Sequence, residues 1–192
     1  MNICVFGAAS NEIDNKYITA VEKMGEELAK QGHHLVFGAG AQGLMGAAAR
    51  GFKKGGGKII GVIPEFFKEG DIELIYTDCN NLIFTETMRE RKATMEDKAD
   101  AFVIVPGGIG TFEEFFEVLT LKQLGRHKKP IAIYNIDGYY DAMEAMFNNS
   151  IKEGFVYEAC KSLYEYVTNL ESLISYIDEN KQLDYSVKDM KI

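Results

Sequence analysis

The chain has 192 residues, with 21 basic and 29 acidic side chains and a formal net charge of −8. An acidic protein repels nucleic-acid phosphates at long range, so we do not expect nucleic acid as a partner. Hydrophobic residues make up 46% of the chain and charged residues 26%, which is typical of a globular protein and argues against a disordered one. The length favours one domain with a sizeable core.

The three cysteines, Cys4, Cys79 and Cys160, are far apart, and no two form a C-x-x-C pair. They predict neither a disulfide framework nor a cysteine-based zinc site, and they favour a reducing compartment. The N-terminus lacks a basic segment and has only a short apolar run, so we predict no signal peptide. No run of about 18 apolar residues predicts a membrane span. We therefore expect a cytoplasmic protein with no membrane partner.

Short apolar runs, typical of buried strands, alternate along the chain with longer segments of helical spacing. The predicted elements of the first half are, in chain order, a strand at 3–7, a helix at 15–31, a strand at 35–37, a helix at 44–54, and strands at 59–63, 72–76 and 82–84. Those of the second half are a helix at 87–98, a strand at 101–105, a helix at 112–124, a strand at 131–134, a helix at 139–152, a strand at 164–167 and a helix at 170–179. We expect a domain of residues 1–181 and a polar, frayed tail at 182–192.

Strands that are apolar along their whole length and separated by helices predict a parallel sheet with helices on both faces. Right-handed crossovers then give a single-domain, doubly wound, Rossmann-like α/β fold. Ligands of such folds bind beyond the carboxyl ends of the strands. The glycine-rich turns that follow the predicted strands are therefore the candidate functional segments.

The turn after the second predicted strand, Gly38-Ala39-Gly40-Ala41-Gln42-Gly43, matches G-x-G-x-x-G by letter. A dinucleotide-binding turn closes the first βα unit and precedes a strand that ends in an acidic residue, and neither condition is met here. A tight turn with close helix–strand packing is the favoured interpretation. The nearest match to a Walker A loop has Gly57 in place of the required lysine.

The turn after the strand at 101–105 reads Pro106-Gly107-Gly108-Ile109-Gly110-Thr111. Glycines at a helix start let a ligand approach free N–H groups, and the helix dipole favours an anion there. Thr111 adds a hydroxyl donor, so a phosphate monoester suits this turn. A structural alternative is a capping box, with Thr111 as N-cap and Glu114 three residues later.

Three cations, Arg89, Arg91 and Lys92, lie within four residues in the segment Met88-Arg89-Glu90-Arg91-Lys92. Successive helical residues point about 100° apart, so these cations cannot all face one ligand. A solvated helix face with acidic neighbours is one interpretation. Phosphate recognition by an arginine is the other, provided that this helix faces the turn at 106–111.

Together the two segments resemble the paired motifs of the Lonely Guy (LOG) family, P-G-G-x-G-T-x-x-E and M-x-x-R-K. They stand here at residues 106–114 and 88–92, and the resemblance runs from about residue 3 to residue 155. Family members often have Cys-Gly-Ser-Ser where this chain has Gly7-Ala8-Ala9-Ser10, and Gly-Gly-Gly where it has Gly38-Ala39-Gly40. They often have Met-His where this chain has Met88-Arg89. These departures concern base preference more than reaction type.

The resemblance implies a cytoplasmic, homodimeric hydrolase that splits N6-substituted adenosine 5′-monophosphates, or AMP itself, into free base and ribose 5-phosphate. It implies no cofactor and no metal, and it assigns catalysis to Arg91 and Glu114. Glu114 either orients water or supports a ribosyl cation, and Arg91 either holds Glu114 ionised or contacts sugar and phosphate. Substrate contacts are implied for Met88, Lys92, Gly107, Gly108, Ile109, Gly110, Thr111 and Glu113.

Two other functions stay open at this stage. A nucleotide-binding or carrier protein of the same superfamily would use the fold without turnover, although such a protein has no need of Glu114. A purely structural oligomer subunit would leave the basic cluster and the glycine turn without a purpose. A pyridoxal-dependent decarboxylase has little residue support, because no lysine stands in a recognisable Schiff-base setting.

Overall fold

The computed structural model describes residues 1–68, 74–179 and 186–190. A parallel sheet of seven strands, in the order β4-β3-β2-β1-β5-β6-β7, runs through the protein. In chain order the strands are β1 (Asn2–Phe6), β2 (His34–Phe37), β3 (Ile59–Pro64), β4 (Asn81–Thr85), β5 (Ala101–Ile104), β6 (Ile131–Tyr134) and β7 (Glu165–Val167). This sheet confirms the predicted fold class.

The described residues contain six α-helices, of which five connect strands and the sixth follows β7. They are α1 (Asn15–Lys30), α2 (Gly43–Lys54), α3 (Met88–Lys98), α4 (Ile109–Gln123), α5 (Asp141–Lys152) and α6 (Leu170–Glu179). Short 3₁₀ turns lie at Glu65–Lys68, Ile136–Gly138, Glu158–Leu163 and Val187–Met190. None of the helices described is long and apolar enough to cross a bilayer.

Each face of the sheet carries its own hydrophobic cluster, because alternate residues of a strand point to opposite sides. In β1, Ile3 and Val5 belong to the cluster that α1, α2 and α6 cover. Cys4 and Phe6 belong to the cluster that α3, α4 and α5 cover. The five inner strands are largely buried on both faces, which explains their continuously apolar sequences, whereas the edge strands β4 and β7 are more exposed.

The order of the strands reverses between β1 and β5. The chain adds β2, β3 and β4 on one side of β1, and then β5, β6 and β7 on the other. Such a switch point leaves a crevice at the carboxyl ends of the two central strands. The turns after β1 and β5 therefore meet at this crevice.

The start of α4 differs from the prediction. The helix begins at Ile109 with Gly108 as its N-cap, so Thr111 lies inside the first turn. Thr111 is buried, and a Cβ added to Gly107 would lie 2.1 Å from its Oγ1. The capping box, which was the structural alternative for Thr111 and Glu114, therefore does not form, because Thr111 lies inside the helix and packs on Gly107.

Capping of this type occurs instead at α3. The hydroxyl of Thr87 accepts a hydrogen bond from the N–H of Glu90 at 3.1 Å. The Glu90 carboxylate in turn accepts from the N–H of Glu86 at 2.9 Å. These two bonds satisfy N–H groups at the helix start and fix where α3 enters the crevice.

Two further segments differ from their predicted form. Of the strand predicted at 72–76, residues 72 and 73 lie outside the described residues, and Ile75 makes only an isolated antiparallel bridge to Gly40. Within the predicted frayed tail, residues 186–190 are ordered by contacts. Met190 is buried, and its carbonyl accepts a hydrogen bond from Gln123 Nε2 at 2.7 Å. The rest of the predicted tail, residues 182–185 and 191–192, lies outside the described residues.

Candidate active site

A cleft of about 350 Å³ opens at the switch point, beyond the carboxyl ends of β1 and β5. It is lined by Gly7, Ala8, Ala9, Ser10, Met45, Arg91, Gly108, Gly110, Thr111 and Glu114. The cleft therefore brings together the two predicted catalytic residues and three of the predicted phosphate-binding residues. A larger cleft of about 730 Å³ between β7 and α6 contains none of the predicted site residues.

The start of α4 presents backbone donors to this cleft. No side chain caps the helix at Gly108, so its first N–H groups are left for a ligand. A Cβ added to Gly108 or Gly110 would meet nothing within 4 Å, so both glycines face open space. A helix N-terminus with exposed N–H groups favours an anion such as a phosphate.

Arg91 enters the cleft from α3 as a buried cation. Its Nε donates to the carbonyl of Val62 at 3.2 Å, and its Nη2 donates to the carbonyl of Gly38 at 3.0 Å. Its Nη1 lies 3.9 Å from Met88 Sδ, and its Cζ lies 5.8 Å from the centroid of the Phe67 ring, within the range of a cation–π contact. The two backbone carbonyls hold the guanidinium in place and leave its other N–H groups for a ligand.

Glu114 lies one helical turn beyond the glycine turn. Burial raises the pKa of its carboxyl to about 7, because desolvation outweighs the opposing positive charge of Arg91. No ion pair joins Arg91 to Glu114 among the residues described. Arg91 thus favours the ionised form of Glu114 at a distance but does not keep it fully ionised at neutral pH.

Lys92 and Glu113 are placed differently from Arg91 and Glu114. The ammonium of Lys92 pairs with the carboxylates of Glu113 and Glu117, and neither Lys92 nor Glu113 lines the cleft. This ion cluster joins α3 to α4. Their contacts to substrate remain predictions, whereas their observed contacts brace the two helices that carry Arg91 and Glu114.

The other predicted site residues surround the cleft. Met88 is partly exposed beside Arg91, and Ile109 is 88% exposed at the first position of α4. The carbonyl of Gly107 accepts a hydrogen bond from Tyr139 Oη at 2.6 Å. Arg89 is exposed, in agreement with the solvated-face interpretation for that one cation.

The turn at residues 7–10, whose departure from the family pattern was expected to concern base preference, lines the cleft, and so does Met45, for which no site role was predicted. The available signal was the position of that turn after a central strand at the switch point. No group of three His, Cys, Asp or Glu side chains in the described ranges has an arrangement that could hold a metal ion. The expectation of a reaction without metal or cofactor stays a prediction.

Comparison with known proteins gives both family and fold. A family described as "Possible lysine decarboxylase" matches residues 45–177. The cytokinin riboside 5′-monophosphate phosphoribohydrolase LOG2 of Arabidopsis thaliana is 35% identical over 177 residues, covering 92% of this chain and 82% of its own. The corresponding LOG enzyme of Oryza sativa subsp. japonica is 36% identical over 177 residues, with 92% and 72% covered.

Two solved structures share the fold at lower identity. The molybdenum cofactor carrier protein of Chlamydomonas reinhardtii matches with a TM-score of 0.70 and 22% identity, over 93% of this chain and 96% of its own. The molybdenum cofactor binding protein of Rippkaea orientalis matches with a TM-score of 0.70 and 18% identity, over 93% and 95%. These matches concern the fold alone. Family match, sequence identity and paired motifs agree, and the chain belongs to the LOG family.

Proposed function

We propose that the protein hydrolyses the N-glycosidic bond of adenosine 5′-monophosphates, N6-substituted or not, and releases free base and ribose 5-phosphate. The observation that carries the proposal is the convergence of Arg91, Glu114 and the open N-terminus of α4 on one cleft. The activity named for relatives at 35–36% identity supports the same reaction.

The 5′-phosphate binds at the N–H groups of Gly108, Gly110 and Thr111. The phosphate is remote from the bond that breaks, so its binding energy positions the sugar without stabilising the intact glycosidic bond. The open space at Gly108 and Gly110 allows the phosphate oxygens to approach the backbone. Among the residues that the structure describes, no lysine lines the cleft, which disfavours a Schiff-base decarboxylase at this site.

The sugar then lies beside Glu114 and Arg91. Water adds to C1′ while the C1′–N9 bond breaks, and the base leaves with the bonding electron pair and takes up a proton from solvent, which balances the proton that the attacking water gives up. The transition state carries positive charge on the ribosyl ring, which the ionised Glu114 carboxylate stabilises. With a pKa of about 7, Glu114 also accepts the proton of the attacking water. Arg91 donates its remaining N–H groups to sugar or phosphate oxygens.

The test is direct incubation of the purified protein with AMP and, separately, with N6-isopentenyl-AMP. Chromatography of free base and ribose 5-phosphate shows which substrate is split. We expect base release that is lost in Glu114→Gln. Tight nucleotide binding without base release by the unaltered protein would contradict the hydrolase and favour a binding or carrier protein, and the two structural matches are named as a carrier and a binding protein of the molybdenum cofactor.

We also infer a cytoplasmic homodimer. Large apolar side chains are exposed on the helices beside the cleft, namely Met88 on α3 and Ile109 and Phe116 on α4. Such side chains favour an interface over free contact with water. Light scattering of the purified protein is expected to give twice the chain mass, and Phe116→Asp is expected to reduce that mass. A monomer at micromolar concentration would contradict the inference.

A further inference from the structure

Gly38 lies in direct contact with Arg91, which lines the cleft. Gly38 follows β2 directly, and its carbonyl accepts a hydrogen bond from Arg91 Nη2 at 3.0 Å, across 53 positions of sequence. A Cβ added to Gly38 would lie 1.8 Å from Nη2 and 2.8 Å from Cζ of Arg91. The guanidinium therefore occupies the volume that any side chain at position 38 would need.

The turn that contains Gly38 is held in an unusual shape. Ala39 has φ of 60°, a left-handed conformation that non-glycine residues rarely adopt. Its carbonyl accepts from the N–H of Tyr76 at 2.8 Å, and the N–H of Ala41 donates to the carbonyl of Leu74 at 2.7 Å. These bonds compensate for the backbone strain at Ala39 and fix the direction of the Gly38 carbonyl.

We propose that Gly38 is a positioning residue of the active site, whose carbonyl and missing side chain determine where Arg91 presents its free N–H groups. The proposal deepens the proposed function and rests on it, since the position of Arg91 matters for turnover only if this cleft performs the hydrolysis. The proposal also assigns a function to the glycine turn after β2, which matches a dinucleotide-binding loop by letter but contacts Arg91.

A side chain at position 38 is expected to disturb the site more than the fold. The atoms that collide with it are the far end of the flexible Arg91 side chain, which can move aside. Gly51 provides the opposite case, because a Cβ there would lie 2.1 Å from the backbone carbonyl oxygen of Glu22. An added methyl at Gly51 therefore strains the packing of α1 on α2 and leaves Arg91 in place.

Glu114 reports the position of Arg91 independently of turnover. Burial raises the pKa of Glu114, and Arg91 is the strongest of the charges that lower it. Lys92 also lowers this pKa, whereas Glu113 and Glu117 raise it, and the buried thiol of Cys4 is a further titratable neighbour. Displacing the Arg91 guanidinium is therefore expected to raise the pKa of Glu114 above about 7.

The experiment is a double-mutant cycle of Gly38→Ala and Arg91→Met, with Gly51→Ala as the structural control. Gly38→Ala is expected to lower kcat about 100-fold, the order of loss that a misplaced catalytic group causes, with a nearly unchanged melting temperature. In Arg91→Met the further change Gly38→Ala should have little effect, because no guanidinium remains to be displaced. Gly51→Ala should lower the melting temperature and leave the pH profile unchanged.

The second readout is the Glu114 titration, followed by carbon-13 NMR of its carboxyl group. We expect the pKa to rise in Gly38→Ala and in Arg91→Met, and to rise no further in the double variant. An unchanged Glu114 pKa in Gly38→Ala, or additive effects in the cycle, would overturn the proposal even in an active enzyme. A raised pKa in Gly38→Ala together with no base release from the unaltered protein would instead contradict the proposed function and leave the positioning of Arg91 supported.

Discussion

Two glycine-rich turns contribute to the candidate site, one by lining the cleft and one by contacting Arg91, and they use the missing side chain in different ways. In the turn after β5, the positions where Gly108 and Gly110 would carry a Cβ are open space, so a ligand can approach the backbone. In the turn after β2, the corresponding space at Gly38 is filled by the Arg91 guanidinium. The first turn admits a ligand, whereas the second admits a side chain of the protein itself.

This difference explains why matching letters are weak evidence. The turn after β2 has the spacing of a dinucleotide-binding loop, but its glycine serves an internal contact. The turn after β5 has a different spacing and opens onto the cleft. The atoms that surround a glycine therefore determine its function, and substitutions in the two turns and at Glu114 test this distinction.

The largest effect is expected at Glu114, which lines the cleft beside Gly110 and Thr111. Glu114→Gln keeps the shape of the side chain and removes the carboxylate, so base release should fall about 1,000-fold. Steady-state kinetics with AMP or N6-isopentenyl-AMP measures this loss. Glu96→Gln is the matched control, because Glu96 is another partly buried carboxylate of raised pKa that does not line the cleft. Full activity in Glu114→Gln would leave that residue without a catalytic role.

The same substitution is expected to stabilise the fold at alkaline pH. Burial raises the pKa of Glu114 from 4.5 to about 7, so the folded state binds this proton more tightly than the unfolded state does. That stabilisation is complete below pH 4.5 and is lost as the pH rises through about 7. Glu114→Gln should therefore gain stability over the unaltered protein between pH 5 and pH 8, by about 1–3 kcal/mol.

Urea unfolding at the two pH values measures this change in the free energy of unfolding. Glu96→Gln should show a gain of the same sign, because burial also raises the pKa of Glu96 to about 7. A difference between Glu114→Gln and the unaltered protein that does not vary with pH would contradict the raised pKa. The unfolding data measure how burial of the Glu114 carboxylate affects stability, and the kinetics measure its contribution to base release.

A methyl group added at Gly110 tests whether the turn after β5 binds the phosphate. It would point into the open space of the proposed phosphate site, so Gly110→Ala should raise KM about tenfold and change kcat little, because phosphate binding is remote from the reacting bond. Stability should stay the same or rise by up to about 1 kcal/mol, since alanine favours a helix more than glycine does. A loss confined to kcat would show that the turn after β5 does not bind the phosphate.

The smallest effect is expected at Ala39 in the turn after β2. Ala39→Gly removes a buried methyl but relieves the left-handed backbone, so the free energy of unfolding should change by less than about 0.5 kcal/mol. Ala48→Gly is the matched control, because Ala48 is equally buried but lies inside α2. It should lose about 1 kcal/mol or more. Equal losses at the two positions would argue against strain at Ala39.

Much of the fold follows from local sequence signals. The strand at residues 131–134 and the helix at residues 170–179 have the predicted bounds, because apolar runs and helical spacing are properties of neighbouring residues. The parallel sheet follows from strands that are apolar on both faces. The motifs at residues 88–92 and 106–114 likewise led to the family and to the segments that line the cleft.

Other features depend on contacts between distant parts of the chain. Of the three neighbouring cations, Arg91 enters the cleft because its guanidinium binds one carbonyl on β3 and one directly after β2. Lys92 is instead bound by two carboxylates on α4. Thr111 packs on Gly107 at the start of α4. Residues 186–190 lie against the domain because the Met190 carbonyl accepts a hydrogen bond from α4.

The sequence alone therefore determined the element types, the sheet and the segments that form the site, since periodicity, glycine turns and motifs are read along the chain. The contact between Gly38 and Arg91 and the raised pKa of Glu114, about 7, arise only in the folded protein. The physical reason is that excluded volume, desolvation and hydrogen bonding act through space. Residues 53 positions apart compete here for one volume of the size of a methyl group, and no local pattern encodes that contact.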